Sequence, residues 1–139
     1  MNAEEMALDT AQGEGLGAAG VEGARATDAI SVQGLSFTYA GAEAPVLDDV
    51  SWTVPRGAFA LLVGATGSGK STLLSLLKPE IAPAGERSGA AFVCGVAVDE
   101  LDARASASTV GYVFQNPDNQ LVCESVWHEM AFGLENLGT

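Results

Sequence analysis

Basic residues are scarce in this chain. Lys and Arg number 6 against 18 Asp and Glu, for a net charge of −12 over 139 residues. A general nucleic-acid binder would carry a basic face instead, so nucleic acid is excluded as an expected partner. Cysteine is also scarce. Cys94 and Cys123 lie far apart and form no C-x-x-C pair. Two isolated thiols read as buried and reduced, which suits a cytoplasmic protein. Long apolar runs are missing: no stretch approaches the roughly 18 apolar residues that suggest a membrane span. The N-terminus lacks the positive region and apolar core of a secretory signal. No internal repeat is visible. What remains is enough chain for one domain with a modest core.

The composition changes near residue 28. Residues 1–28 are rich in Ala, Gly and Glu and contain no aromatic residue. Gly13, Gly15, Gly17, Gly20 and Gly23 would break a helix started by the first ten residues. Such a segment cannot bury enough apolar surface to order itself, so a disordered leader over 1–28 is expected. A short helix near residues 3–8 is the alternative. Residues 29–139 are expected to form the folded part.

The most specific run is Gly64-Ala-Thr-Gly-Ser-Gly-Lys-Ser-Thr72. It matches the P-loop pattern G-x-x-x-x-G-K-S/T, with Gly64, Gly69, Lys70 and Ser71 at the fixed positions. The apolar residues 58–63 precede it, as a buried strand would. Residues 71–78 follow, with leucines at 73, 74, 76 and 77, which suits a short helix on a sheet. The chemistry explains the residue types. A polyphosphate must lie against backbone N–H groups with no side chains between. Gly64, Gly67 and Gly69 supply that clearance and tolerate positive φ. Ala65, Thr66, Ser68 and Thr72 complete the cradle, whose N–H groups converge at a helix N-terminus. Lys70 would reach the β- and γ-phosphates. The Ser71 hydroxyl would be one ligand of the Mg²⁺ that bridges them. A glycine-rich turn that binds nothing would require none of this agreement.

Around this motif the chain alternates extended and helical patterns. Residues 30–39 alternate apolar and polar on either side of Gly34, as a half-buried strand does. Residues 46–54 hold a second strand, closed by Pro55-Arg-Gly57. Pro79 and Pro83 end the P-loop helix. Residues 90–98 are another strand candidate, residues 103–108 are weakly patterned, and residues 110–114 read as a short buried strand. Residues 116–120 must be loop. Residues 124–137 read as a helix, with apolar positions at 126, 127, 130, 131, 134 and 137.

Three features beyond the P-loop belong together: Tyr39 at the end of its strand, the phrase Val46-Leu-Asp-Asp-Val-Ser51, and Val113-Phe-Gln-Asn-Pro-Asp-Asn-Gln-Leu-Val122. With the P-loop they resemble the ATP-binding cassette of ABC transporters. The phrases Phe114-Gln-Asn-Pro-Asp-Asn-Gln120 and Glu129-Met-Ala-Phe-Gly-Leu-Glu-Asn136 look like the ATPase of energy-coupling-factor (ECF) transporters, including the cobalt and nickel type. The resemblance runs from about residue 30 to the last residue. It implies an α/β fold, with a P-loop NTPase core and an N-terminal antiparallel β subdomain. It implies ATP and Mg²⁺ as cofactors, with Tyr39 stacked on adenine. Gln115 matches the Q-loop glutamine, which touches Mg²⁺ or the attacking water. Catalytic roles therefore fall on Gln115 and Lys70, and metal contacts on Ser71 and Gln115. The implied partners are a second ABC ATPase subunit and a membrane-embedded transporter subunit. The implied location is cytoplasmic, peripheral to the inner face of the cell membrane, and the implied task is uptake of a vitamin or metal ion.

Other residues invite misreading. An aromatic at a strand end is usually packing, and Gln-Asn-Pro is usually just a turn. Position relative to the P-loop favours the functional reading of both. His128 reads as the polar face of the last helix, and Trp52 and Trp127 as packing residues. Asp99-Glu100 after an apolar run imitates a Walker B pair, but it precedes Gln115. In the resembled family that pair follows the Q-loop. The family's signature motif, its Walker B pair and its switch histidine do not occur in this sequence, so the C-terminal half of the domain is expected to be missing. Two rivals follow. One is a nucleotide-binding module that does not hydrolyse. The other is a small-molecule kinase, which would need a lid with paired arginines; only Arg87 and Arg104 follow the P-loop.

Overall fold

The computed structural model describes residues 7–10 and 27–138. Two compact units are formed, Met1–Leu101 and Asp102–Thr139.

The first unit is built on a four-stranded antiparallel sheet. Its strands are β2 (Asp28–Tyr39), β3 (Leu47–Pro55), β5 (Gly85–Val93) and β6 (Val96–Ala97), in the order β3-β2-β5-β6. The expected antiparallel subdomain is therefore present. Gly34 sets its local geometry. Its φ is 57°, and the pairing of β2 shifts register on both sides of it. The extra residue changes which parity points inward: Val32 is buried before the shift, Leu35 and Phe37 after it. A bulge of this kind bends and twists a strand. Gly89 of β5 faces the same spot, where a Cβ would lie 2.2 Å from the Gly34 carbonyl oxygen. Cys94 and Gly95, both at positive φ, make the tight turn from β5 to β6. Such turns match the strand twist.

The P-loop strand is β4 (Ala60–Val63), and helix α1 (Lys70–Ser75) follows the glycines. A helix of six residues has no stability of its own. Leu73, Leu76 and Leu77 are buried at and beyond its end, and each buried leucine contributes about 1.5–3 kcal/mol. Strand β4 pairs only with β1 (Ala7–Thr10), antiparallel, from Ala7 opposite Val63 to Thr10 opposite Ala60. Two sequence expectations change here. Four residues of the expected disordered leader form a strand; the rest of residues 1–26 lie outside the described residues. And no parallel pairing occurs among the described residues, where β4 of the expected α/β core is paired antiparallel. Leu61 and Val63 are correspondingly exposed. The observed architecture is an antiparallel sheet with few helices.

The second unit contains α2 (Ala103–Thr109) and α3 (Val126–Leu137), with a 3-10 turn at Pro117–Gln120. Asp102 caps α2 by accepting from the Ala105 N–H at 2.7 Å. Ser125 caps α3 by accepting from the His128 N–H at 3.3 Å. Residues 110–114, expected as a buried strand, form none, and Val113 is 78 % exposed. The physical reason is pairing: a strand needs a neighbour, and no described strand takes one here. Trp127, expected to pack, is also largely exposed. It lies with Val126, Met130 and Leu134 on an apolar stripe of α3 that no described residue covers.

Candidate functional site: a phosphate loop beside an aromatic

One pocket of about 290 Å³ collects most of the residues singled out in the sequence. Tyr39, Gly67, Ser68, Gly69, Lys70, Ser71 and Thr72 line it, together with Val46. Gly67 and Gly69 have φ of 83° and 85°. Gly69 is the N-cap of α1 and carries no side-chain cap. The first N–H groups of a helix have no acceptor within it, and here no side chain stands over them. That is an anion cradle formed by the backbone.

Lys70 turns back over the loop. Its Nζ donates to the Gly64 carbonyl at 2.9 Å, the Ala65 carbonyl at 2.7 Å and the Ser68 hydroxyl at 3.2 Å. An ammonium has three donors, and all three are used on the loop itself. Gly64 and Ala65 therefore act through their carbonyls, while Thr66 sits exposed at the loop's outer turn. Ser71 is exposed on the pocket wall.

Tyr39 reaches the same pocket from β2. Its hydroxyl shares a 2.7 Å hydrogen bond with the Thr72 hydroxyl. The Phe37 ring meets it edge to face, centroids 5.1 Å apart, a favourable arrangement for aromatic pairs. Gly85 makes room for this brace. It pairs with Tyr39 across the sheet, and a Cβ there would lie 2.6 Å from the Phe37 ring. Val46 arrives because its N–H donates to the Phe37 carbonyl at 2.8 Å, closing the β2–β3 turn. Val46 stood in a quoted phrase without a role assigned to it, and Phe37 and Gly85 carried no signal as supports of this site. The apolar alternation of β2 placed Phe37 inside without showing that its ring supports Tyr39.

Gln115 lies in the second unit and is exposed. The segment before it is held by Gln120. The Gln120 amide donates to the Tyr112 carbonyl at 3.0 Å and accepts from the Phe114 N–H at 2.8 Å. This is the bonding that a neighbouring strand would supply. Glu129 secures the other end, accepting from the N–H groups of Val122 at 3.0 Å and Cys123 at 2.8 Å. Those bonds, Cys123 first, hold its carboxyl below the usual carboxylate range. Burial pushes the Cys123 thiol up, and the Glu129 charge adds to that. Both cysteines are free and half-buried. Gln120 and Glu129 stood in the quoted phrases, but their roles depend on contacts that spacing does not reveal.

The decoys separate cleanly. Asp99 sits in a 3-10 turn and pairs with Arg87 of β5, at the edge of the antiparallel sheet. His128 is exposed on α3. No group of three His, Cys, Asp or Glu that could hold a metal occurs among the described residues. No described helix is long and apolar enough to cross a membrane.

Comparison with known proteins agrees with this geometry. Residues 47–131 match the sequence profile of the family described as ABC transporter. An ABC transporter ATP-binding protein of Bacillus cereus is 44% identical over 107 residues, covering 77% of this chain and 19% of that protein. The energy-coupling factor transporter ATP-binding protein EcfA1 of Lactobacillus johnsonii is 42% identical over 107 residues, 77% of this chain and 38% of its own length. EcfA1 of Lacticaseibacillus paracasei is 44% identical over 109 residues, 78% and 38%. The chain thus spans well under half the length of these relatives. The P-loop, the aromatic beside it and the matched profile together show that the chain belongs to the ABC transporter family.

Proposed function

We propose that this chain supplies the phosphate-binding part of an ABC ATPase subunit, of the type that powers ECF importers. The observation that carries the reading is the joint pocket: a glycine loop with its lysine, and an aromatic face, converge on one cavity. A nucleoside triphosphate has the matching parts. Its base stacks on Tyr39, with Val46 beside it, and its phosphates lie along residues 64–72. Lys70 exchanges bonds to the Gly64 and Ala65 carbonyls for bonds to the β- and γ-phosphates. Such an exchange costs little, because the new bonds are charge-assisted.

Mg²⁺ fits this site on chemical grounds. The ion is a hard cation that takes oxygen ligands, with substrate phosphates among them, and Ser71 lines the pocket. When bound, Mg²⁺ neutralises charge on the β- and γ-phosphates. Ser71 would hold it, and Gln115 would contribute either to it or to the attacking water. In the working protein, two such subunits would enclose two ATPs and act on a membrane-embedded partner at the cytoplasmic face. The cargo would be a vitamin or metal ion. Residues 29–139 would be the folded ATPase portion, with residues 1–28 as its leader.

Hydrolysis requires a base and charge neutralisation at the leaving oxygen as well as the cradle. After the phosphate loop, the acidic pair that follows an apolar run is Asp99-Glu100, and Asp99 is engaged with Arg87. The 139-residue chain by itself is therefore expected to bind MgATP without turning it over. Isothermal titration with the wild type and with Lys70→Ala tests the reading. The expected result is at least a hundredfold weaker binding for Lys70→Ala, which is about 2.7 kcal/mol. Equal binding by the two proteins would remove the P-loop assignment. Turnover by the chain alone, lost in Asp99→Asn, would make Asp99 a catalytic ligand and move the protein out of this reading.

A further inference from the structure

We infer that Thr72 is a positioning residue for base recognition, its hydroxyl holding the Tyr39 ring in the orientation that receives a nucleobase. The inference rests on the nucleotide reading of the pocket and adds a residue to it. Three observations carry it. The Tyr39 and Thr72 hydroxyls share a 2.7 Å hydrogen bond. Thr72 is 7 % exposed and sits in the first turn of α1, so its own position is fixed by the fold. Tyr39 is 41 % exposed, so its ring is open to a ligand and would otherwise be free to change rotamer.

The brace on Tyr39 is therefore two-sided. The Phe37 ring edge limits the phenol at its side. The Thr72 hydroxyl pins it at the tip. An exposed aromatic that must be ordered on binding weakens the complex by the cost of immobilising it. A ring already pinned avoids that cost. The pin also joins two subsites, because Thr72 directly follows the Lys70-Ser71 pair of the phosphate loop. Base stacking and phosphate binding then share one fixed frame.

The test compares MgATP with magnesium tripolyphosphate, which offers phosphates without a base, using the full chain. Thr72→Val keeps the shape and removes the hydroxyl. Tyr39→Phe keeps the ring and removes the other half of the bond. Each is expected to weaken MgATP binding by about threefold to tenfold, the range for one neutral hydrogen bond. For each variant the loss for MgATP should exceed the loss for tripolyphosphate by at least threefold. The double variant should be no weaker than either single one, and Thr72→Ser should restore wild-type affinity. Unchanged ATP binding in both single variants would overturn the inference. So would equal losses of ATP and tripolyphosphate in Thr72→Val, which would make Thr72 a phosphate ligand only. If Thr72→Val unfolds, Tyr39→Phe and Thr72→Ser still decide the matter. A wild-type chain that binds neither ligand would instead bring down the nucleotide reading itself.

Discussion

The loop between β4 and α1 and the segment that leads into α3 are both irregular chain beside a candidate functional residue, yet they are held in opposite ways. The first closes on itself: Lys70 bonds to carbonyls five and six positions back, and Gly67 and Gly69 take the positive φ that the turn requires. The second has no such closure. Its backbone is held from outside by two side chains, Gln120 across residues 112–114 and Glu129 across residues 122–123. One structure is written in nine consecutive residues. The other depends on pairings between positions six to eight apart and on neighbours that the described chain does not supply.

The largest effect should come from breaking the self-contained loop. Gly69→Ala places a Cβ at a residue with φ of 85°. The left-handed conformation costs an L-residue about 1–2 kcal/mol, and the methyl group stands where phosphate must approach the backbone. MgATP affinity should fall at least tenfold, and because Gly69 is itself buried the same strain should lower the melting temperature by several degrees. Isothermal titration beside a thermal melt would show this. A loss of stability with affinity intact would mean that the loop's shape matters for folding and not for ligand.

A smaller effect should follow from breaking the borrowed bonds. Gln120→Ala removes one donor and one acceptor that serve the backbone of Tyr112 and Phe114. Each neutral hydrogen bond is worth about 0.5–1.5 kcal/mol net. Amide exchange at Phe114 should accelerate by roughly tenfold in this variant, with exchange in β2 unchanged. Gln120→Glu offers an acceptor but no donor, and should fall between. Exchange at Phe114 that ignores both changes would show that residues 112–114 are held by something else.

The contrast also explains what the sequence could reveal. Strands β2 and β3 were legible because their partners lie in the same sheet, and the half-buried alternation survives on either side of Gly34; the strand expected over 90–98 instead begins at Gly85 and breaks at the Cys94–Gly95 turn. The P-loop was legible because its chemistry needs fixed residue types at fixed positions. Residues 110–114 carry the same kind of apolar pattern, but a buried strand is a statement about neighbours. Helix α3 was readable by period, its Ser125 cap was not singled out, and its apolar stripe is exposed. Periodicity predicts which side of a helix wants cover, not what covers it. Phe37 and Gly85, which support Tyr39, were silent because they act by contact within the sheet.

The acidic clamp gives a pH-dependent version of the same comparison. The backbone N–H groups of Cys123 and Val122 favour the charged Glu129 carboxylate and lower its pKa. A group whose folded pKa is depressed adds stability above its unfolded value, and loses it as pH falls through the folded one. Residues 122–123 should therefore hold above the ordinary Glu value of 4.5 and loosen as pH falls below it. Amide exchange at Cys123, followed from pH 6 downward after correction for intrinsic rates, should show that release. Glu129→Gln keeps an acceptor without a titrating group, so its profile should be flat. A wild-type profile that is equally flat would show the clamp to be uncoupled from charge.

The smallest effect is expected at the N-terminal end. Ala7–Thr10 pairs with β4, the strand that feeds the phosphate loop, so its removal looks as though it should matter. The pocket argues otherwise. Every described residue lining it comes from β2, the β2–β3 turn, the glycine loop or α1, and none from Ala7–Thr10. The loop's own bonds run from Lys70 to Gly64, Ala65 and Ser68, and do not pass through β1. Deleting residues 2–27 should accordingly leave MgATP affinity within about twofold, a change of about 0.4 kcal/mol. It should expose the edge of β4, and unpaired edges favour association between chains. Light scattering would report that exposure while titration reports the affinity. A tenfold loss of affinity would mean that β1 holds the phosphate loop in place, and would make that loop as dependent on distant partners as the segment before α3.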